Sequence, residues 1–232
     1  MRTVLLQPAY VLHRRSYRET SFLIELLTPD YGRLSVVIKG ARKEKSALPG
    51  LLQPFVPLTV SWTGRGELMA LTHVELAGTA LRFQGECLFA GLYLNELLVA
   101  LLERWVAHSG IYKAYQAVLQ ALDAERLDEG SLRSFEKRLL EELGYGILPR
   151  ADQSLHNTLL PDQYYRFVPE QGFIAAETDA GGTIFLGKHL LAIANEDWSH
   201  AEILKDAKRL TRLILGPLLG SKQIHSRKLF AK

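Results

Sequence analysis

Cysteine is nearly absent from this sequence, because Cys87 is the only one among 232 residues. A single thiol can form neither an internal disulfide nor a cysteine-rich zinc site. The class of small, disulfide-stabilised secreted domains is therefore excluded, and we expect a protein of a reducing, cytoplasmic compartment.

Long apolar runs are also lacking. The opening residues Met1 to Leu6 are followed by Gln7 and Pro8 before a signal-peptide core could form. The most apolar stretch, residues 88–102, contains two polar side chains and is too short to span a bilayer. We expect no membrane association, and a buried helix at 88–102.

The overall composition shows no excess that would indicate a disordered or fibrous chain. Hydrophobic residues make up 47% and charged residues 23% of the sequence. These values are typical of globular proteins, and 232 residues are enough for one large domain or two small ones.

The net charge of +3 is distributed unevenly. Residues 1–80 carry ten Lys or Arg against six Asp or Glu, residues 81–204 ten against eighteen, and residues 205–232 eight against one. Two basic ends therefore flank an acidic middle. This asymmetry is as consistent with a polyanionic partner as with an ordinary solvated basic surface.

Alternating apolar residues predict five strands in the first eighty residues. These strands are expected at about 9–15, 19–28, 34–38, 56–62 and 67–76. The turn sequence at 29–32 predicts a hairpin, and a loop is expected at 40–50. The pattern favours a small closed barrel of the OB type, with an SH3-like barrel or half of an open sandwich as alternatives.

From about residue 81 the apolar period changes to three and four residues. Helices are predicted at 88–102, 111–122, 131–143 and 188–194, and from Ser199 to the Gly216–Pro217 pair. Ser131 is the expected N-cap of the third helix and Gly144 its C′ residue. The Ser199 to Glu202 run has capping-box spacing.

Residues 145–187 lack a helical period and are expected to be irregular, with a hairpin around Pro169–Gly172. The predicted fold class is therefore α+β. A five-stranded OB-type barrel at 1–80 is followed by a helical bundle domain at 81–232 that carries a small irregular, zinc-free insertion at about 145–187.

Catalytic patterns are weak throughout the chain. Residues 182–188 have the spacing of a phosphate-binding loop, but His189 stands where a Ser or Thr should hold Mg²⁺, so a strand or turn leading into a helix is favoured. The seven histidines are scattered singly. Cys87 lies on an apolar helix and is expected to be buried and inert. We therefore expect no enzyme, no metal and no cofactor.

A run of cations follows the third predicted strand. Lys39 lies on the strand face opposite Leu34, Val36 and Ile38, and a Gly-containing loop with three further cations comes next: Arg42, Lys43 and Lys45. Such cations could neutralise phosphates beside an aromatic stacking surface, for which Tyr17, Tyr31 and Phe22 are candidates, although alternation favours the core for Phe22. The simpler alternative is a flexible surface loop.

The third predicted helix combines cations with apolar residues. Arg133 and Lys137 lie near Leu139 and Leu140. A cationic rim beside an apolar groove suits a peptide that ends in acidic and hydrophobic residues, while an ordinary amphipathic helix explains the same pattern.

Taken in order and spacing, several short motifs resemble the RecO family of bacterial DNA repair and recombination mediators. The resemblance covers essentially the whole chain. The motifs are Val11-Leu12 with Arg15, Glu19-Thr20-Ser21, Gly32-Arg33, Lys39-Gly40-Ala41-Arg42, Leu52-Gln53-Pro54-Phe55, Gly64-Arg65-Gly66, Tyr93-Leu94-Asn95-Glu96-Leu97, Leu132-Arg133, Phe135-Glu136, Leu143-Gly144-Tyr145 and Ser226-Arg227.

This resemblance implies an OB-fold followed by a helical domain. It implies binding of single- and double-stranded DNA and ATP-independent annealing of complementary strands. The implied partners are the acidic C-terminal tail of the single-stranded-DNA-binding protein and RecR, with which the family helps load RecA. A cytoplasmic, nucleoid-associated protein would follow.

The resemblance also assigns site residues. DNA contacts would come from Arg15, Arg33, Lys39, Arg42 and Lys43, with Lys45 in the same loop. It places Arg133 in the groove for the acidic tail, to which the helix pattern adds Lys137, Leu139 and Leu140. Lys137 departs from the family, because an apolar residue is anticipated at its position.

One departure from the family concerns zinc. Many members carry a four-cysteine zinc module in the region of 145–187, where this sequence has no cysteine. We expect a zinc-free version held together by Tyr164, Tyr165, Phe167 and Phe173. Two other functions remain open from the residues alone: an OB-fold RNA-binding factor of translation or RNA processing, and a hydrolase or transferase built on the helical domain.

Overall fold

The computed structural model describes residues 2–44, 46–122, 127–146, 159–177 and 183–231. It confirms the predicted α+β class, with a five-stranded sheet followed by helices. The five strands are β1 (Arg2–Tyr17), β2 (Ser21–Thr28), β3 (Gly32–Ile38), β4 (Leu58–Gly64) and β5 (Leu68–Leu76).

The sheet closes on itself as a barrel in the order β1-β2-β3-β5-β4. β1 pairs with both β2 and β4, and every pairing is antiparallel except that between β3 and β5. The interior is filled by the apolar face of each strand, with Trp62, Ile24 and Val36 fully buried. The alternation of the sequence therefore specifies this core.

β1 begins seven residues earlier than predicted, at Arg2. Its pairing with β4 shifts register between Val4 and Gln7, and Leu5 and Leu6 are both exposed there. The bulge breaks the alternation of apolar and polar residues, which is the signal by which a strand is predicted.

The helices are α1 (Leu48–Leu51), α2 (Gly85–Leu101), α3 (Ser109–Leu122), α4 (Glu129–Glu142), α5 (Gly187–Ala194) and α6 (Ala201–Leu219), with a final 3₁₀ helix at His225–Ala231. α2 is buried around most of its circumference, as predicted for 88–102. It carries Cys87, which is buried as predicted, and burial raises the pKa of its thiol.

The caps of α4 differ in part from the prediction. Asp128, not Ser131, is the N-cap residue, and its carboxylate accepts hydrogen bonds from the backbone amides of Gly130 and Ser131. A carboxylate at this position also interacts favourably with the helix dipole. Gly144 ends the helix as predicted, with a φ of +84° and the paired backbone hydrogen bonds of a Schellman motif.

Two expectations for α6 are wrong. Its N-cap is His200, and no side chain caps its first turn, so the capping box proposed at Ser199 does not form. The helix also continues past Gly216 and Pro217 to Leu219. The helix ends instead at its C-cap residue Gly220, which has a φ of +54°.

The hairpin predicted within 145–187 is present. β6 (Tyr164–Val168) pairs with β7 (Gly172–Ala175) and with β8 (Ile184–Leu186). Ring contacts of 5.6 Å between Phe167 and Phe173 and 6.3 Å between Phe173 and Phe185 join the strands. β8 runs directly into α5, which is the strand-to-helix arrangement favoured for residues 182–188.

The chain forms two compact units. Unit 1 comprises Met1–Leu127 and Ser221–Lys232, and unit 2 comprises Asp128–Gly220. Unit 1 thus adds α2, α3 and the C-terminal residues to the barrel, and unit 2 holds α4 to α6 with the three-stranded sheet. Among the described residues, no helix has the length and apolar character needed to cross a membrane.

Candidate functional site

The cations predicted at the end of β3 are exposed on a turn of unit 1. This basic loop comprises Lys39, Arg42 and Lys43, all of which are exposed. Lys45 lies outside the described residues. The turn is closed by a backbone hydrogen bond of 3.2 Å from Lys43 N to Gly40 O, and Gly40 has a φ of +71°.

The basic loop is anchored to the turn between β1 and β2. Arg42 N donates to Thr20 O at 3.0 Å, and its guanidinium donates to Arg18 O at 3.3 Å. Arg18 is itself exposed, and its guanidinium lies 5.3 Å from the ring of Tyr17. Arg18 was not among the predicted site residues, because only the fold brings it beside the loop.

The three aromatic candidates for stacking differ in position. Phe22 is buried, as its alternation predicted, with the Arg14 guanidinium 4.5 Å from its ring. Tyr31 packs edge-on against Trp62 at 5.2 Å. Tyr17 is half-buried at the end of β1, beside the basic loop, and is thus the best placed of the three to stack on a base.

Arg15 and Arg33 lie on the barrel but in different environments. Arg15 is exposed. Arg33 is 12% exposed, forms an ion pair of 2.7 Å with Glu25, and donates through Nε to Leu102 O at 3.0 Å. The guanidinium of Arg33 is therefore engaged within the fold, whereas that of Arg15 faces solvent.

Glu25 is the centre of this charged network. Burial would raise the pKa of its carboxyl, but the hydrogen bond from Ser35 and the charges of Arg104 and Arg33 outweigh burial, and the pKa is lowered. Arg104, which follows α2, lies 3.0 Å from the Glu25 carboxylate. Next to Arg33, position 32 requires glycine, because a Cβ there would lie 1.8 Å from Val106 O.

Unit 2 contains a narrow, mostly apolar pocket between α4 and α6, which we call the α4–α6 pocket. Three of the four residues predicted for peptide binding line it: Arg133, Lys137 and Leu140. Leu139 is fully buried and is not part of the lining. Residues that sequence reasoning missed complete it, notably Ile193, Trp198 and Ile214.

Arg133 is a buried cation at the wall of the α4–α6 pocket. Its guanidinium forms an ion pair of 2.6 Å with Glu136, and the two side chains are 8% and 0% exposed. Its Nε has no acceptor among the described residues. A buried donor without a partner is costly, so an acceptor supplied by a ligand would be stabilising at this position.

Lys137 provides a second, less buried cation. Its ammonium lies 2.9 Å from the Glu196 carboxylate and 3.5 Å from that of Glu141. Burial favours a higher pKa for Glu196, but hydrogen bonds from Lys137 and Ser134 outweigh it, so the pKa is lowered. Ser134 also accepts a hydrogen bond of 2.9 Å from the Trp198 indole, which holds that ring in the pocket wall.

His189 has a structural partner in unit 2. Its Nδ1 lies 2.8 Å from Asp206, and Asp206 is also 2.7 Å from Arg209. Within the described parts of the chain, no group of three His, Cys, Asp or Glu residues is placed to hold a metal ion.

Comparison with known proteins identifies the family. The model for the N-terminal part of recombination protein O matches residues 1–80, and that for its C-terminal part matches residues 82–228. DNA repair protein RecO of Coxiella burnetii is 43% identical over 226 residues, with 97% of each chain covered. The RecO proteins of Dechloromonas aromatica and Pseudoalteromonas atlantica are 40% and 44% identical, covering 97% and 95% of this chain and 94% and 92% of theirs.

Proposed function

This chain belongs to the RecO family of DNA repair and recombination proteins, and from that premise we propose that it acts as a recombination mediator. It binds single- and double-stranded DNA and anneals complementary strands without ATP. Together with RecR it helps load RecA onto DNA that is coated by the single-stranded-DNA-binding protein. We place this activity in the cytoplasm, at the nucleoid.

The observation that carries the proposal is a pair of unlike sites in two units. Unit 1 presents exposed cations on an anchored turn. Unit 2 presents an apolar pocket with one buried arginine. The first suits a polymer of phosphates, and the second suits one defined peptide end. A mediator that recognises DNA and also the protein that coats the DNA needs both kinds of site.

The DNA step is electrostatic. We assign the barrel to the OB type, whose strand face and loops bind nucleic acids in many proteins. Lys39, Arg42 and Lys43 neutralise phosphates of one strand and so reduce its repulsion of a second. Base pairing supplies the sequence specificity, and duplex formation is downhill. The proposed activity therefore requires neither nucleotide hydrolysis nor a catalytic group.

The peptide step uses the α4–α6 pocket. An apolar side chain near the end of the tail enters between Leu140 and Ile214, while acidic groups of the tail meet Arg133 and Lys137. The unsatisfied Nε of Arg133 gives this site a buried donor that a carboxylate oxygen satisfies. The pocket thereby selects a partner with an acidic and hydrophobic terminus.

A strand-annealing assay tests the proposal, with and without the single-stranded-DNA-binding protein. The triple variant Lys39→Ala, Arg42→Ala and Lys43→Ala should anneal slowly and bind single-stranded DNA weakly. The logarithm of the DNA-binding constant falls linearly with the logarithm of the salt concentration. The slope of this line should become less steep by about 2 in the triple variant, since each lost phosphate contact removes roughly 0.7.

A matched control removes three exposed cations of unit 1 outside the loop: Arg65, Arg82 and Lys113. This control should retain annealing. Equal loss of annealing in both triple variants would show that net charge alone matters, and would contradict a site at the basic loop.

Preference for RNA over single-stranded DNA in direct competition would instead support an RNA-binding factor.

A further inference from the structure

A groove in unit 1 carries charge that the predicted sites do not account for. We call it the α2 groove, because α2 lies along it opposite the outer face of β1 and β2. It has a volume of about 590 Å³ and is open to solvent. The C-terminal residues Lys222, Gln223 and His225 line one side.

The lining of the α2 groove has an excess of positive charge. Four cations and two carboxylates face it, together with two histidines: Arg15, Arg33, Arg104 and Lys222, Glu25 and Glu96, and His13 and His225. Both carboxylates are already engaged. Glu25 pairs with two arginines, and Glu96 accepts hydrogen bonds from the amide and hydroxyl of Ser226 at 3.0 and 2.7 Å. The remaining positive charge is available to an anion.

The position of the C-terminal residues along the groove is well defined. Ile224 is buried, and Phe230 contacts Phe89 of α2 at 6.0 Å between ring centroids. Lys222 donates to Ala100 O at 2.6 Å, a neutral acceptor that leaves its charge uncompensated. A fixed cation is a better element of a binding site than a mobile one, because less side-chain entropy is lost on binding.

One edge of the α2 groove, at Arg15, lies near the basic loop on the barrel surface. Arg15 pairs with Leu23, and Leu23 pairs with Val37, two residues before Lys39. Strand spacing and rise place the Cα atoms of Arg15 and Lys39 within about 12 Å of each other. Arg15 therefore lies between the basic loop and the cations of the groove.

We propose that the α2 groove binds the sugar–phosphate backbone of a DNA strand that also contacts the basic loop, with Arg15, Arg104 and Lys222 as its phosphate contacts. Arg33 is a positioning residue, because it holds Glu25, which in turn holds Arg104. Leu23 and Val99 supply apolar surface for sugars and bases. The proposal rests on the proposed DNA-binding function and extends its site to the C-terminal segment.

The test compares two double variants of the 232-residue chain by fluorescence anisotropy with a labelled oligodeoxynucleotide. Arg15→Ala with Lys222→Ala removes two groove cations, and Arg65→Ala with Lys113→Ala removes two exposed cations elsewhere in unit 1. The groove variant should bind roughly tenfold more weakly near 0.1 M salt, with a salt slope smaller by about 1.4, while the control stays near wild type.

Equal affinities of the two double variants would overturn the groove proposal. If wild-type protein binds DNA and only the loop triple variant loses affinity, the proposed function stands and the groove fails. If wild-type protein does not bind DNA at low salt, the proposed function itself fails.

Cross-linking gives a readout that net charge does not influence. Gln223 is exposed on the C-terminal segment, and the native Cys87 is buried. A Gln223→Cys variant should cross-link by thiol–disulfide exchange to DNA that carries a tethered mixed disulfide, with release of the small thiol, and a Lys113→Cys variant should not. Failure of Gln223→Cys to cross-link under conditions where the protein is saturated with DNA would contradict the proposal. Capture of an acidic protein instead of DNA would also contradict it.

Discussion

The α2 groove with the basic loop in unit 1, and the α4–α6 pocket in unit 2, use positive charge in opposite ways. In unit 1 the cations Arg15, Lys39 and Arg42 are exposed and lie along an open surface. In unit 2 a single buried arginine stands at the wall of a narrow apolar pocket. Exposed charge suits a long polyanion in many registers, whereas buried charge suits one chemical group in one orientation.

The two sites also differ in what supports them. Besides the ion pairs of Glu25, the α2 groove is framed by neutral hydrogen bonds: the Tyr115 hydroxyl donates to Asn95, and the Asn95 amide donates to Leu12 O at 3.0 Å. Burial raises the pKa of Tyr115, so its hydroxyl stays a donor. The α4–α6 pocket is framed by an ion pair. Loss of an exposed cation such as Arg15 should therefore disturb binding in unit 1, whereas loss of the buried Arg133 should disturb folding in unit 2.

The largest effect is expected at Arg133. Arg133→Ala removes the cation that lies 2.6 Å from the fully buried carboxylate of Glu136, which should lower the free energy of unfolding by about 3 to 5 kcal/mol. Urea unfolding followed by circular dichroism measures this loss. DNA binding at low temperature, under conditions where unit 1 is folded, should persist.

A double variant separates stability from recognition at this pair. Arg133→Met with Glu136→Met removes both charges, and most of the stability should return, because apolar replacements of buried ion pairs are often neutral. Binding of an acidic tail peptide should remain lost. A double variant that binds the peptide as tightly as wild type would show that the buried arginine is not part of recognition.

A smaller effect on stability is expected at the hydrogen bonds that support the α2 groove. Asn95→Ala removes the amide that donates to the Leu12 carbonyl and the oxygen that accepts from the Tyr115 hydroxyl, and should lower the free energy of unfolding by about 2 to 3 kcal/mol. Urea unfolding checks this value. Tyr115→Phe, which removes one hydroxyl, should cost about 1 kcal/mol. A loss at Asn95 as large as that at Arg133→Ala would contradict the contrast between the two frames.

Glu25 links stability to pH in unit 1. Its pKa is lower in the folded protein than in the unfolded chain, so its contribution is present above the ordinary carboxyl value and is lost as pH falls through the folded value. Glu25→Gln should cost about 1 kcal/mol at pH 7, and the difference from wild type should shrink towards pH 3. Thermal unfolding at a series of pH values measures it.

The same variant adds one net positive charge to the α2 groove. DNA affinity at low salt should therefore rise by a few fold, although stability falls. A pH-independent difference in stability would show that the carboxylate charge of Glu25 is not what stabilises the fold.

The smallest effect on stability is expected at Lys137. Its ion pairs are partly exposed, so Lys137→Ala should cost less than about 1 kcal/mol. Peptide affinity should nevertheless fall several-fold, because a rim cation is removed, while DNA affinity should be unchanged. Titration calorimetry with the tail peptide, beside a DNA titration, checks both. Parallel loss of both affinities would remove the distinction between the two sites.

The barrel could be predicted from sequence because its signal is local. Alternation in β2, β3 and β5 places apolar residues inside with nearly correct bounds, and Lys39 was predicted to face outward for the same reason. The bulge in β1 escaped prediction because two adjacent exposed leucines do not alternate. The end of α4 at Gly144 could be predicted because the C′ position of a helix requires a positive φ, which glycine adopts readily.

The sites were predictable only in part. The helical spacing of Arg133, Lys137 and Leu140 places them on one face, and the structure brings them to one pocket. The pocket is also lined by Trp198, which precedes α6, and by Ile214 of α6. Neither residue belongs to α4, so the helical spacing within α4 does not indicate them. The α2 groove depends on Lys222, which lies more than two hundred residues from Arg15 in sequence, so no pattern within either segment indicates it.

Unit 2 is continuous in sequence, whereas unit 1 is interrupted by it. During synthesis, every residue of Asp128–Gly220 leaves the ribosome before Ser221 does. Unit 1 cannot complete its fold until Ile224, which is buried, and Ser226, which donates to Glu96, have followed the whole of unit 2 out of the ribosome. The order of translation thus makes the α2 groove a late-forming surface, because Lys222 and His225 of its lining follow every residue of unit 2.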